Sequence, residues 1–184
     1  SSLQLAQQLQ SLNIRATFFI VTSLIGSEGF LNADEIKYIR SLGHKIGSHS
    51  HTHPSPFCDL KKEAVEYEVL KSREILENLL NEDITTFAVP GGELRKRTIS
   101  ELKSKTLKLS RIYTSTPHQG TYIQNAQTVF IGRLCLLDSM NSSEIQRLIA
   151  GDGWGYHRYR YKVGRLKREA LKIIKNYKQN IISL

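Results

Sequence analysis

Four of the six histidines fall within ten residues, in the stretch GHKIGSHSHTHPSP: His44, His49, His51 and His53. Neutral imidazole is the commonest side-chain metal ligand, and zinc accepts histidine and carboxylate together in tetrahedral sites. Two geometries could turn these residues into a site. An extended loop would place His49, His51 and His53 on one side, because alternate residues share a face. A turn would instead bring His49 and His53 together at i, i+4. Either arrangement points to a hydrolytic metal site, and either needs a third ligand from elsewhere. A second stretch, Phe87 to Gly92 (FAVPGG), ends an apolar run on a proline and two glycines. Pro90 fixes one backbone angle, while Gly91 and Gly92 permit positive φ or close backbone approach. A backbone N–H there could face a ligand oxygen; an ordinary strand-to-loop turn has the same composition.

The surrounding elements must position these two stretches. The run from Arg15 to Thr22 (RATFFIVT) is rich in β-branched and aromatic residues and has the length of a buried strand. A helix follows with Asn32 as N-cap, Glu35 completing a capping box and Gly43 as its stop. Lys45 to Gly47 predicts a short strand running straight into the histidines. A long helix starting at Asp59 has Val65, Val69, Leu76 and Leu79 on its apolar line, with small Ser72 between them. Ile84 to Val89 predicts the strand that ends at Pro90. A helix near Leu94 to Lys105, strands at Arg111 to Ser115 and Thr128 to Leu136, and helices at Ser143 to Ala150 and Val163 to Tyr177 complete the chain. Strand–helix alternation implies an α/β fold with a parallel sheet, open or closed. Chemistry in such folds gathers on loops at the C-terminal ends of strands, where both stretches lie.

Composition narrows the classes. With 40% hydrophobic and 23% charged residues over 184 positions, the chain can build a core and is not disordered. No uninterrupted apolar run suggests a membrane span. Two cysteines, Cys58 and Cys135, are too few for a disulfide scaffold. The net charge of +9 is unevenly placed. Residues 1–152 carry 17 Lys and Arg against 16 Asp and Glu, whereas residues 153–184 carry nine against Glu169 alone. The sequence thus divides into a body, 1–152, and a basic segment, 153–184, where WGYHRYRYK leads into a helix with Val163, Leu166, Ala170, Ile173 and Tyr177 as its apolar stripe. A basic amphipathic helix of this kind either packs its stripe on the body or lies on an anionic membrane surface. Nucleic acid ranks last as a partner, because the charge is confined to one end and no nucleic-acid module is present.

The order and spacing of ATFFI (Ala16 to Ile20), Gly43 to Pro54 with its His-Ser-x-x-x-Pro core at His49, and FAVPGG resemble the polysaccharide deacetylases of carbohydrate esterase family 4. The resemblance covers residues 1 to about 136. It implies a distorted (β/α) barrel and removal of N- or O-acetyl groups from an acetylated polysaccharide or oligosaccharide, with a divalent metal, zinc foremost. Carried over by position, His49 and His53 would be the histidine ligands and His51 a wall of the substrate pocket. Gly91 would offer the oxyanion its backbone N–H, flanked by Pro90 and Gly92 as substrate-binding residues. The pattern also departs from the family. The Thr-Phe-Asp-Asp-Gly motif, which supplies a third ligand and the general base, is not in these residues. Truncation ahead of Ser1 is the expected reason, since the chain opens inside a helix without an initiator Met or a signal peptide. The family's general-acid histidine segment is not evident, Ile84, Thr85 and Thr86 stand where many members carry an arginine, and the spare histidines His118 and His157 are not in matching contexts. The resulting expectation is a deacetylase fragment inactive alone, cytoplasmic or peripheral to a membrane, of the branch that accompanies exopolysaccharide assembly. The alternative is a non-catalytic relative that binds glycan or anchors an assembly complex through its basic helix.

Overall fold

The computed structural model describes residues 1–115, 121–124, 128–133, 136, 139–156, 159, 162–164, 166, 167, 170 and 171. Cys135, His118 and His157, and Ile173 and Tyr177 of the C-terminal stripe, lie outside them. The chain falls into two compact units, one of residues 1–115 and 121–131, the other of residues 116–120 and 132–184.

The first unit is built on a sheet. Its strands are β1 (Thr17–Ile20), β2 (Lys45–Ser48), β3 (Thr86–Ala88), β4 (Arg111–Thr114), β5 (Thr121–Gln124) and β6 (Val129–Gly132), in the spatial order β1-β2-β3-β4-β6-β5. β1 to β4 run parallel, each joined to the next through a helix, as the alternating pattern requires. The helices are α1 (Ser2–Ser11), α2 (Ala33–Ser41), α3 (Lys62–Leu80) and α4 (Lys96–Leu102). This is an α/β fold. β5 and β6 pair antiparallel, and β5 has no counterpart among the strands read from the sequence.

Local chemistry explains where the elements begin. α2 opens on the expected capping box: Asn32 Oδ1 accepts the Glu35 N–H at 2.9 Å, and the Glu35 carboxylate accepts the Asn32 N–H at 2.8 Å. α3 starts at Lys62 and not at Asp59. Phe57–Asp59 form a 3-10 turn, and the Asp59 carboxylate pairs with Arg95 at 2.5 Å instead of capping a helix. Arg40 forms a two-pronged pair with Glu82, whose hydrogen bond and charge raise the guanidinium pKa above its ordinary value. Such a surface pair contributes only about 0–1 kcal/mol.

Two apolar clusters hold the unit together. One gathers Val65 and Val69 of α3 with Phe87, Ile112 and Phe130 of the sheet; the other joins Ala6, Ile36 and Ile39 to Ile20, Ile46 and Leu76. Polar struts pass through this packing. His44 is 1% exposed, accepts the Ala16 N–H on Nδ1 at 3.2 Å and donates from Nε2 to the Ala6 carbonyl at 2.8 Å. It therefore ties α1 to the start of β1 and has no lone pair left for a metal. Arg73, buried on α3, donates to the carbonyls of Ile84 and Leu107, both at 2.7 Å, and to Glu77. The registers Ile20↔Ser48 and Ser48↔Phe87 bring the ends of β1, β2 and β3 side by side. The loops that follow these strands share one edge of the sheet, where ligands bind in such folds.

The second unit contains α5 (Ser142–Ile149), capped by Asn141 and Glu144 in a further capping box. Trp154 donates its indole N–H to the Leu148 carbonyl at 2.8 Å. Among residues 154–171, the described ones (154–156, 159, 162–164, 166, 167, 170 and 171) are helical. Leu166 and Leu171 are 60% and 65% exposed. Among the described residues, no helix is long and apolar enough to cross a membrane.

Candidate metal centre

The histidine loop starts where β2 leaves the sheet. Gly47 lies under Phe19: a Cβ on it would sit 2.7 Å from that ring and 3.2 Å from the Thr86 carbonyl oxygen. Only glycine lets the Phe19 ring lie across β2, 6.5 Å from the His49 ring. Ser48 is fully buried and bonded to Ser72 of α3 at 2.6 Å. Ser72 Oγ donates to the Val69 carbonyl at 2.9 Å, so the Ser48 hydroxyl is the donor to Ser72 and accepts the Ser50 N–H at 3.2 Å. The small residue on the apolar line of α3 is thus the partner that fixes the start of the loop.

The loop then turns back on itself. Ser50 and His53 adopt left-handed φ of 70° and 57°, and Ser50 Oγ accepts the His53 N–H at 3.0 Å. This closes the i, i+4 turn and brings the His49 and His53 rings to 4.8 Å between centroids, nearly perpendicular at 75°. Of the two geometries the sequence left open, the structure adopts the turn. The backbone N–H of His49 donates to the Ile20 carbonyl at 2.8 Å, and its Nδ1–H donates to the Ala88 carbonyl at 2.7 Å. A carbonyl can only accept, so Nδ1 of His49 carries the proton, which in the neutral imidazole leaves Nε2 as the nitrogen suited to a metal. Backbone carbonyls orient metal-binding histidines in this way.

His51 goes elsewhere. Its Nδ1 is 2.9 Å from Thr22 Oγ1, its ring stands edge-on to Tyr67 at 5.9 Å, and its carbonyl accepts the Ser23 N–H at 2.9 Å. It zips the loop after β1 to the histidine loop. A cleft of about 990 Å³ opens beside the histidine pair, lined by Phe19, Val21, Ile25, Phe30, Leu31, Thr52, His49 and His53 among others. His51 is not among its lining residues, and neither are Pro90, Gly91 and Gly92.

The Pro-Gly-Gly turn leaves β3 two residues after the carbonyl that orients His49. Gly91 and Gly92 have φ of +64° and +68°. Gly92 donates to the Val89 carbonyl at 2.9 Å and accepts the Ser115 N–H at 3.0 Å, while the Ser115 hydroxyl donates to the Gly91 carbonyl at 3.3 Å. A Cβ on Gly92 would come within 2.5 Å of Ser115, whereas one on Gly91 meets nothing within 4 Å. Gly91 is exposed and Pro90 and Gly92 are buried.

Two residues that reading the sequence missed complete the loop. Glu68 of α3, 6% exposed, accepts the His51 and Thr52 N–H groups and the Thr52 hydroxyl. Thr22 holds His51. The signal for Glu68 was its position, three residues after Val65 and four before Ser72, a charge on an otherwise apolar line.

The donor chemistry of the pair fits a divalent cation: two imidazoles close together, one with its tautomer fixed, open onto a cleft. Among the described residues no group of three His, Cys, Asp or Glu side chains gathers. Among the described residues Glu35 is the one carboxylate lining the cleft, and one of its oxygens is held by the capping box of α2.

The family model for polysaccharide deacetylase matches residues 2–110, more than half of the chain. The chain belongs to the polysaccharide deacetylase family. Its fold is that of solved family members. Over 78% of this chain it is similar to the Streptococcus pyogenes deacetylase PplD in complex with acetate, with TM-score 0.65 and 20% identity. It is similar over 79% to a polysaccharide deacetylase from Bacillus cereus, with TM-score 0.65 and 19% identity. A CE4 family pseudoenzyme from Bacillus anthracis is similar over 59%, with TM-score 0.51 and 22% identity. This family member spans 62%, 45% and 36% of those three chains. No curated protein matches it in sequence.

Proposed function

We propose that this chain carries the histidine half of the metal centre of a polysaccharide deacetylase, an enzyme that hydrolyses N-acetyl or O-acetyl groups of a glycan and releases acetate. The observation that carries the reading is the convergence of His49 and His53 at 4.8 Å on a cleft at the strand ends, with Ala88 fixing the His49 tautomer. The acetate bound to the S. pyogenes deacetylase is the product such a reaction leaves.

A divalent cation, zinc in our reading, supplies Lewis acidity when bound: it polarises an acyl oxygen and lowers the pKa of water. The other roles belong to the chain. His49 Nε2 and the His53 ring offer their lone pairs, and Phe19 and Val21 form an apolar wall that limits water around the acyl group. By the family resemblance we assign to Gly91, in the turn shaped by Pro90 and Gly92, the backbone N–H that would face the negative charge developing on the acyl oxygen. Ser1 and Ser2 line the same cleft as the histidines. Any segment ahead of Ser1 in a longer parent protein would reach the cleft beside them, and in this reading the third ligand and the general base would come from such a segment. The competing reading, a non-catalytic glycan-binding relative, draws on the want of a third ligand among the described residues.

Metal content and acetate release from acetylated chito-oligosaccharides, measured on the full-length protein, test the proposal. His49→Ala and His53→Ala should each lose most of the bound metal and the activity, while His51→Ala keeps its metal. Metal loss in His51→Ala alone would refute the ligand assignment. Bound metal without acetate release would favour the non-catalytic reading.

A further inference from the structure

We infer that Glu68 is a positioning residue for His53: its buried carboxylate locks the loop in the shape that brings the two imidazoles together, without touching cation or substrate. The inference rests on the metal-site reading above and concerns how the pair is held.

The two histidines are secured by different means. His49 is fixed by the sheet, its N–H on the Ile20 carbonyl and its ring on the Ala88 carbonyl. His53 lies four residues further along a loop containing two left-handed residues, Ser50 and His53. Between them, Glu68 Oε2 accepts the N–H of His51 at 2.9 Å and of Thr52 at 2.8 Å, and Oε1 accepts the Thr52 hydroxyl at 2.6 Å. A carboxylate is suited to this task, since it only accepts and converging donors from one loop satisfy both of its oxygens. The same engagement argues against Glu68 as a third ligand, and it belongs to no group of three potential metal-binding side chains among the described residues.

Removing the carboxylate leaves two backbone amides and a hydroxyl facing a partly buried gap, a state the loop escapes by rotating toward water. That rotation lies after His49 and before His53. His53 should therefore move while His49 stays. Thr52 couples the clamp to the cleft, since it bonds Glu68 and also lines the cavity.

The experiment has two arms. In the metal-free 184-residue chain, amide hydrogen exchange and histidine ring NMR are compared for wild type, Glu68→Ala and Glu68→Gln. Glu68→Ala should speed exchange at His51 and Thr52 by about tenfold or more, the scale of a lost hydrogen bond to a charged acceptor. It should also shift the His53 ring signals and leave the His49 Nδ1–H signal in place. Glu68→Gln, which keeps one acceptor oxygen, should lie close to wild type. In the full-length protein, Co²⁺ titration should show affinity about 10- to 100-fold weaker in Glu68→Ala, the usual effect of removing a group that orients ligands, with substantial recovery in Glu68→Gln. Should Glu68→Ala fail to fold, Thr52→Val removes the hydroxyl bond alone and should shift the same signals in the same direction by less.

A lowered melting temperature with unchanged Co²⁺ affinity and an unmoved His53 signal would overturn the inference and leave the metal site standing. Wild type that binds no Co²⁺ would defeat the metal-site reading, while the exchange and ring signals would still decide whether Glu68 holds the loop.

Discussion

Gly91→Ala and Gly92→Ala place the same methyl group at adjacent positions of the turn that follows β3, and the structure assigns them different costs. Both residues have left-handed φ, +64° and +68°, so either alanine carries a strain of roughly 1–2 kcal/mol. For Gly91 that is the whole effect, because its Cβ would meet nothing within 4 Å. For Gly92 the methyl would come within 2.5 Å of Ser115, including its backbone nitrogen, which cannot swing aside as a side chain can. The turn must separate from Ser115, losing the Ser115 N–H to Gly92 bond and the Ser115 hydroxyl to Gly91 bond. At roughly 0.5–1.5 kcal/mol net per hydrogen bond, these add about 1–3 kcal/mol. Gly92→Ala should therefore cost roughly 2–5 kcal/mol and Gly91→Ala about 1–2 kcal/mol. Urea unfolding measures both, with an unchanged denaturant slope showing that the unfolded state is not the cause. Equal losses in the two variants, or a smaller loss at Gly92, would show that Ser115 does not wall the turn and would refute the argument.

Two further outcomes are expected. The 184-residue chain should release negligible acetate from acetylated chito-oligosaccharides with added zinc, because no third ligand joins His49 and His53 among the described residues; full activity would mean that the catalytic carboxylates lie within these residues. Residues 153–184 should mediate binding to anionic but not neutral liposomes, since each Lys or Arg near the surface contributes about 1 kcal/mol, and 1 M salt, where the Debye length is roughly 3 Å, should abolish it; salt-insensitive recovery on both lipids, or none on either, would exclude a membrane-surface role.

Much of the fold could be read from local patterns. The α2 capping box, the strand at Thr17–Ile20 and the α/β alternation depend on residues a few positions apart, and short-range sterics and hydrogen bonds decide them. α3 starts at Lys62 although Asp59 has the right side chain for an N-cap, because Asp59 sits in a 3-10 turn with its carboxylate paired to the distant Arg95. The strand expected from Thr128 contains β6, but β5 and its antiparallel pairing with β6 have no counterpart in the sequence pattern, because strand pairing is a tertiary event that leaves only a weak local trace.

At the site the same division holds. Histidine spacing alone limited the possibilities to an extended row or an i, i+4 turn, and the positions of Pro90, Gly91 and Gly92 marked a tight turn at a strand end. Which geometry His49 and His53 adopt was settled by partners 17 to 39 positions away: Glu68 holds the loop closed, Ala88 sets the His49 tautomer, and Thr22 draws His51 out of the cleft. Linear spacing encodes which side chains share a turn or a face. The carbonyl or carboxylate that meets a given donor is chosen only when strands and helices pack, because a buried polar group must find its partner among whatever the fold brings within hydrogen-bond distance.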